Sequence, residues 1–532
     1  MRIHVTLLLG LVSASACHSA TSAQPAADVA MLDVQPDGAG ADSADAVPAV
    51  DVSPVTDVSA TPDASADADS DSATKAEDAA ADAMPDAASI GPAPGPAITP
   101  PADATWTLVG DCVQPDAVAT PACLTVKCTK GNACMANGIC TPTEPFIASS
   151  ATASQVAPAL ASRPDGAWAL AWYDGTLDTE MHVYLQISLS GGAALSPPVQ
   201  VDAPGAHFAF APSVVALADG TWLVVWRDEQ FFKGTVQFFG RRMATDGTFA
   251  LGPQFEITNG PQWASGGSTN VVNPLAVRLR DGNVLVAWPA STQPGVLLSV
   301  HARRLDLNGN PLGPELDTGS GGPDTESYSP AIAPLPNGAC LLAWQSWSNK
   351  GHIQVFGRRF DASGQPMGAV LPLSAGFKAY EALPAVAAFP DGGIFMSWKE
   401  GDVTTSTTPV AIAGKAWSPL LTPQTAGKYQ GIGADPDGTY PDQGPATALP
   451  GERVAVVWHS AAAEGGIFLR RYYRAPDKLD CETTDVAGAP LPPWEGSRHL
   501  PAAETLADGR IVVAWDTLMS GMPVVRVRIL GW

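Results

Sequence analysis

The chain has 532 residues, 53 acidic against 29 basic, and a formal charge of −24. That length exceeds one small domain, and the acidic balance lacks the basic surface a nucleic-acid partner would require. Only about 390 residues have globular composition, enough for one large core.

The first sixteen residues have the layout of an export signal. Arg2 and His4 precede an apolar run at 5–12, and the small residues 13–16 lead to Cys17. The run is too short to span a bilayer, and no other segment could. The stretch SASAC resembles the lipobox of bacterial lipoproteins, whose Cys becomes the lipidated first residue; Ala14 stands where that family usually has Leu. The resemblance implies a lipid anchor at Cys17, with plain secretion after Ala16 as the alternative. His18 follows, rather than the Asp that commonly retains such lipoproteins at an inner membrane. The expected location is the outer membrane or cell surface, otherwise the periplasm or the medium, with the lipid anchor as the sole membrane contact.

Residues 17–105 read as a linker. Between 21 and 104 there are sixteen acidic residues and one basic residue, Lys75, in a background of Ala, Pro, Ser, Thr, Val and Gly. Such a stretch cannot bury enough apolar surface to offset chain entropy. It would span roughly 50 Å as a flexible coil, and self-repulsion lengthens it.

Residues 106–143 carry a cluster of Cys. With Cys17 set aside for lipid and Cys340 inside the apolar run ACLLAW, six remain: Cys112, Cys123, Cys128, Cys134, Cys140 and Cys481. An even number in an oxidising compartment reads as disulfides. The stretch CTKGNACMANGIC at 128–140 resembles small Gly-punctuated disulfide modules of exported bacterial proteins. Zinc is the rival reading, but paired two-residue spacings and His ligands are missing from the module. Four clustered Cys can pair among themselves, leaving Cys112 for Cys481, which is placed in the connection between the third and fourth strands of its repeat.

From residue 144 onward one pattern recurs seven times: a Pro, a short apolar strand, an Asp-Gly-like turn, and an apolar strand ending in Trp. The Trp residues are 172, 226, 288, 344, 398, 458 and 515, spaced 54, 62, 56, 54, 60 and 57 apart. Each unit continues into a strand such as VQFFGRRMA, a turn, and a fourth strand such as LGPQFEIT. Asp-Gly and Asn-Gly accept positive φ and close hairpins. The Trp strand is apolar at nearly every position, as befits a strand buried on both faces. A lone sheet cannot bury two faces, whereas neighbouring blades can. The last unit stops after its third strand, and residues 144–150 can supply the fourth. The expected fold over 144–532 is all-β: a seven-bladed β-propeller closed by an N-terminal strand. The repeats resemble bacterial propeller repeats of the form DG-x-x-x-V-x-W and G-x-x-R-x-D, a resemblance specific for fold and nearly silent on activity.

A residue type present in most repeats reads as packing. The Arg pairs Arg241 with Arg242, Arg303 with Arg304, Arg358 with Arg359, and Arg470 with Arg471 recur. Adjacent strand residues point to opposite faces, so no pair can clamp one anion; bridging blades or satisfying turn carboxylates is the expected role. Sialidases are also propellers, but the turn FDASGQPMG lacks the leading Ser and closing Trp of their Asp-box. No Ser/His/Asp order, metal-spaced His cluster or phosphate loop stands out, so no catalytic residue is assigned.

Non-repeated residues gather in the connections after the Trp strand and after the fourth strand, which leave a meander on one side. They include His207, Phe208, Phe210, Phe231, Phe232, Trp263, Tyr328, Trp347, Tyr429 and Tyr440, with Asp174, Arg227, Asp228, Lys399, Glu400, His459 and Asp516 directly following the Trp residues. Aromatics with mixed charge suit a sugar or a peptide. The stretch DPDGTYPD at 435–442 resembles an acidic calcium loop, making Asp435, Asp437 and Asp442 the candidate Ca²⁺ ligands; no other cofactor is expected. The reading is a monomeric binding or scaffold lipoprotein that presents a propeller face to a glycan or protein. The alternative is a secreted carbohydrate-active enzyme, a sialidase-like hydrolase or a lyase.

Overall fold

The computed structural model describes residues 132–134, 140–142, 146–147 and 154–531, except the connections at 176–179, 204–207, 231–234, 261, 264–272, 292, 294–295, 320–324, 349–351, 375–379, 402–410, 422–428, 434–440, 461–465, 475–478, 487–500 and 520–521. The export signal, Cys17, the acidic linker, Cys112, Cys123, Cys128, His207, Phe231, Phe232, Tyr440, Asp435 and Asp437 lie outside the described residues.

The fold is an all-β propeller. The first repeat is a four-stranded antiparallel sheet of Gln155–Ser162, Trp168–Gly175, Met181–Ser188 and Val199–Gln200. The second comprises Ala209–Ala216, Trp222–Gln230, Thr235–Met243 and Phe255–Glu256. In it the short strand Gln262–Trp263 also pairs with Thr235–Met243. Leu275–Arg278, Val284–Ala290, Ser299–Leu305 and Leu316–Asp317 form the third. Thr325–Pro334, Cys340–Ser348, Ile353–Phe360 and Pro366–Pro372 form the fourth. The fifth, Tyr380–Ala388, Ile394–Gly401, Ala411–Trp417 and Tyr429–Gly433, joins it through one parallel contact, Ile353 with Tyr380. Pro441–Leu449, Arg453–Ser460, Ile467–Tyr473 and Leu479–Asp485 follow in the sixth. The last repeat contributes Ala502–Thr505, Ile511–Met519 and Met522–Leu530, and its fourth strand is Phe146–Ile147, with Phe146 opposite Val527 and Ile147 opposite Arg526.

The turn glycines do what the sequence asks of them. At Gly166, Gly220, Gly282, Gly392 and Gly509 φ lies between 82° and 90°, a region that L side chains rarely adopt.

The cores lie between sheets. Trp222, Val224 and Trp226 pack on the first repeat, against Ala169, Ala171, Val183 and Leu185. Their strand neighbours Leu223 and Val225 face the third repeat, against Val284, Val286 and Trp288. The alternation follows from the two-residue period of a strand. The same rule carries around to the ends: Trp168, Leu170 and Trp172 pack against Leu506, Val512, Val525, Val527 and Ile529 of the last repeat.

Arginines fasten these layers. The first Arg of a pair donates from Nη1 to a carbonyl just past the fourth strand of the preceding repeat: Arg241 to Val201 (2.8 Å) and Arg303 to Ile257 (2.6 Å). Arg528, at the same register position in the last repeat, donates to Val486 (2.9 Å). The second Arg turns the other way. Arg242 pairs with Asp219 in its own turn and reaches Asn308 of the next repeat (2.8 Å). Arg304 pairs with Asp281 and reaches the Gly338 carbonyl (3.2 Å). Both members thus bridge repeats, and the second also satisfies a turn carboxylate.

A bulge recurs in the first strands. Ala157, Ala211, Ser329 and Leu383 each precede a Pro, have φ of 51° to 53°, and sit where the register shifts. A bulge of this kind re-aims the residues before it. It thereby sets the strand ends that carry Phe210 and Tyr328.

Three placements differ from expectation. Cys481 lies within the fourth strand of its repeat, opposite Arg471, not in the connection before it. Trp263 is in a strand and exchanges two backbone hydrogen bonds with Ser291 (2.8 and 3.0 Å), rather than standing on a loop. Tyr429 opens a fourth strand. In each case a chain segment between elements found edge pairing for its backbone groups. In the short pair Asn132–Cys134 and Cys140–Pro142, Cys134 is directly opposite Cys140. Cys340 is buried in an apolar core, and burial pushes its thiol up to about 12, so it behaves as a small hydrophobe.

Two outcomes follow from this packing. Trp344 is fully buried whereas Trp347, three residues on, is 47% exposed. Denaturant unfolding of Trp344→Ala should show a loss of about 3–5 kcal/mol, and of Trp347→Ala under about 1 kcal/mol; equal losses would contradict the assignment of core and surface. Deleting residues 1–150 removes Phe146–Ile147 and leaves Met522–Leu530 as an open edge. The fragment should aggregate on size-exclusion chromatography, and a monomer that unfolds cooperatively would refute the role of the N-terminal strand.

Candidate functional site

The Trp strands all run in one direction, so the residues following each Trp emerge at one end of the sheets. Alternation turns the first of them away from the face of the Trp. At this position stand Asp516, Tyr173 and Arg227 in three repeats that are neighbours in space.

These three interact. Arg227 is 1% exposed and its guanidinium lies 3.9 Å from the centre of the Phe210 ring, its register partner. Glu229 lies 3.7 Å away. Burial lowers Arg227 to about 10, against the pull of Glu229 and Tyr173. Burial likewise raises Glu229, against the charge of Arg227. Tyr173 is raised by burial first and then by the charge of Asp516, with Arg227 opposing. Asp516, 2% exposed, is pushed up to about 7 by burial, in spite of its backbone hydrogen bond. A buried cation and a carboxyl raised to about 7 thus act on one phenol across three repeats.

Beside this group lies a second. His182 is opposite Asp174 in the register. Its Nδ1 is 2.7 Å from Asp202 and its Nε2 is 3.3 Å from Glu180. Burial works against a charged imidazole here, but the hydrogen bonds and charges of Asp202 and Glu180 outweigh it and raise His182. Asp174 is pushed up to about 6 by burial, with Asp202 adding and His182 opposing.

A third group is open to solvent. Glu326 is the register partner of Trp347, and Tyr328 is the partner of Gln345 on the adjoining strand. Tyr328 is raised chiefly by burial, with a hydrogen bond to Gln345 opposing and the Tyr380 and Glu326 side chains adding to the rise. Two tyrosine rings and one carboxylate therefore neighbour Trp347, which is 47% exposed.

Of the other residues picked out by sequence, Asp228, Glu400 and His459 are buried, while Lys399 and Trp263 are half-buried. His459 is opposite Asp442 in the register, and Glu400 is opposite Glu381, which accepts a hydrogen bond from Ser374 (2.6 Å). Sequence reasoning placed Arg227, Asp516, Glu400 and His459 on an open face; the strands continue past the Trp and carry them into the layers. It missed Tyr173 and Glu229, although both stand within three residues of a repeat Trp, and it missed the His182 and Asp202 pair. Among the described residues no group of three or more His, Cys, Asp or Glu could hold a metal ion, and no helix is long and apolar enough to cross a membrane.

No protein-family model matches the chain, and no curated protein matches it. Solved structures do share its fold at a distance. A protein of unknown function from Dyadobacter fermentans is 16% identical, with a TM-score of 0.41, covering 61% of this chain and 96% of that one. An α-L-arabinanase from Penicillium chrysogenum, complexed with arabinobiose, is 14% identical, with a TM-score of 0.42, covering 73% and 97%. The Hadza microbial sialidase Hz136 is 13% identical, with a TM-score of 0.41, covering 66% and 72%. At these identities the likeness is one of propeller fold alone.

Proposed function

We propose that this is an exported lipoprotein: a signal at 1–16, a lipid on Cys17, an acidic spacer to 105, a disulfide-bonded module at 106–143, and a monomeric seven-bladed propeller at 144–532. Seven sequence repeats and the pairing of Phe146–Ile147 with Met522–Leu530 support the blade count and closure. In a meander the fourth strand starts on the side of the Asp-Gly turns. The face bearing the residues after each Trp lies on the opposite side.

That face binds a glycan. The observation that carries this reading is the exposed Trp347 beside Glu326, Tyr328 and Tyr380: flat apolar rings with a carboxylate at the edge, as a pyranose with one apolar face and a rim of hydroxyls requires. A printed glycan array probed with the full chain should give hits. Trp347→Ala should weaken them by about tenfold or more with an unchanged melting temperature. An empty array, or hits indifferent to Trp347→Ala, would refute it.

A second reading, a carbohydrate-active hydrolase or lyase, rests on Asp174, half-buried opposite His182 and pushed up by burial to about 6. A carboxyl raised toward neutrality is what a general acid needs. Release of reducing ends from an array hit, lost in Asp174→Asn while binding persists, would decide for it.

Asp516 sets a stability signature. Its folded pKa lies above the unfolded value of about 3.9. The folded state then holds the extra proton between about pH 4 and 7, so stability falls as pH rises through that window, by up to roughly 4 kcal/mol in the linkage limit. The lowered carboxyls, such as Asp219 and Asp391, act with opposite sign but only below about pH 4. Urea unfolding should therefore show the protein more stable at pH 5 than at pH 8, and Asp516→Asn should reduce that difference.

A further inference from the structure

The third repeat departs from four of its fellows at neighbouring positions. Opposite the repeat Trp, on the following strand, stand Tyr184, Phe239, Phe356 and Phe468 in the first, second, fourth and sixth repeats, and Ala413 and Arg526 in the fifth and seventh. Tyr184, Phe239 and Phe468 stack on their Trp with ring centres 6.0, 6.2 and 5.9 Å apart. The third repeat has His301 there, stacked on Trp288 at 6.3 Å with 17° between the planes. The imidazole keeps the packing and adds two ring nitrogens that packing does not need.

Both nitrogens are used. Ser299, two residues earlier and so on the same face of the strand, has its Oγ 2.9 Å from His301 Nε2. Glu315 has its Oε1 3.1 Å from His301 Nδ1. Glu315 precedes Leu316, the register partner of Ala302; before the partners of Leu185, Gly240 and Gly357 in the first, second and fourth repeats stand Pro198, Gln254 and Val370. One tautomer serves both contacts: Nδ1–H toward the carboxylate and Nε2 accepting from the hydroxyl. The His301 and Glu315 side chains are 7% and 12% exposed, whereas Ser299 is half-buried at the strand end on the face of the post-Trp connections. Val296 and Leu297 just before it are 49% and 42% exposed, an apolar rim beside the hydroxyl.

We propose that Ser299, His301 and Glu315 form a nucleophile relay that hydrolyses carboxylic esters with a short apolar acyl group. A hydroxyl, a base oriented by a third group, and hydrogen-bond reach between them are the geometry such a relay requires. Ser299 Oγ bonds to the ester carbonyl carbon while its proton passes to His301 Nε2. The carbon–oxygen bond to the alcohol breaks, and the alcohol leaves with that proton. Water then adds to the acyl carbon, giving a proton to His301; the acid departs and Ser299 Oγ takes the proton back. Ser299 and His301 are the catalytic residues. Glu315 is a positioning residue that fixes the tautomer. Ser299 opens on the same face as Trp347, but the proposal does not rest on the glycan reading.

The full chain is incubated with a fluorophosphonate, which reacts only with an activated hydroxyl, and with p-nitrophenyl butyrate. Peptide mapping should find the phosphonyl group on Ser299, and Ser299→Ala should remove both labelling and butyrate release from the chain. His301→Phe introduces the aromatic ring that four other repeats carry there and so preserves the stack. It should slow labelling on the order of 10²-fold or more with an unchanged melting temperature. Glu315→Gln should lower the maximal labelling rate by about tenfold or more and leave the half-saturating probe concentration unchanged. An unlabelled Ser299, or one labelled as fast in His301→Phe as in the parent, overturns the proposal.

Discussion

A strand that is apolar on both faces cannot be satisfied by one sheet, and this constraint organises the molecule. Trp222, Val224 and Trp226 need a partner on one side, and Leu223 and Val225 need one on the other. Each sheet therefore sits between two neighbours, and the demand passes from repeat to repeat. It ends only where Trp168, Leu170 and Trp172 meet Val512, Val525 and Val527. Apolar area removed from water at about 25 cal/mol per Å² is a large but undirected force. The direction comes from the two-residue period, which sends alternate side chains to alternate neighbours.

Polar chemistry has to fit around that stack. Arg303 is 8% exposed, and its Nη1 meets the Ile257 carbonyl just past the fourth strand of the preceding repeat. Arg304 is tied to the Asp281 turn and to the turn of the next repeat. Burial lowers Arg304, with the charges of Cys340 and Asp361 opposing. The layers are thus apolar at the centre and hydrogen-bonded at the edges. Each junction couples two repeats and no more, which makes the stack tolerant of a deviation inside one of them.

How much of this was legible follows from the range of the interactions. Turn glycines, the Trp period and the fourth strand borrowed from the other end depend on local chemistry and on counting, and all are readable in the sequence. The direction of a side chain just past the Trp is local too, but its burial is not. Arg227 is 1% exposed because Phe210 from the bulged strand lies against it. That bulge rests on Ala211 at a φ of 51°, which no propensity assigns to Ala before Pro. Cys481 and Trp263 were misplaced for a related reason: an edge strand forms wherever a neighbouring backbone offers partners, and side-chain type announces this weakly.

The repeat is also an instrument for finding function. Seven internal copies of one pattern can be compared with one another, and the sheet register supplies the correspondence. Read singly, His301 is a buried ring on a Trp. Read beside Tyr184, Phe239, Phe356 and Phe468 at the same register position, it is a replacement that keeps the stack and introduces a base. Glu315 replaces Pro198, Gln254 and Val370 by the same comparison. Packing alone explains either change poorly, since a carboxylate half-enclosed beside an imidazole costs desolvation that Val or Pro would not. Two costly departures in one repeat, placed to meet at 3.1 Å with a serine at the far nitrogen, are coupled by chemistry rather than by the needs of the stack.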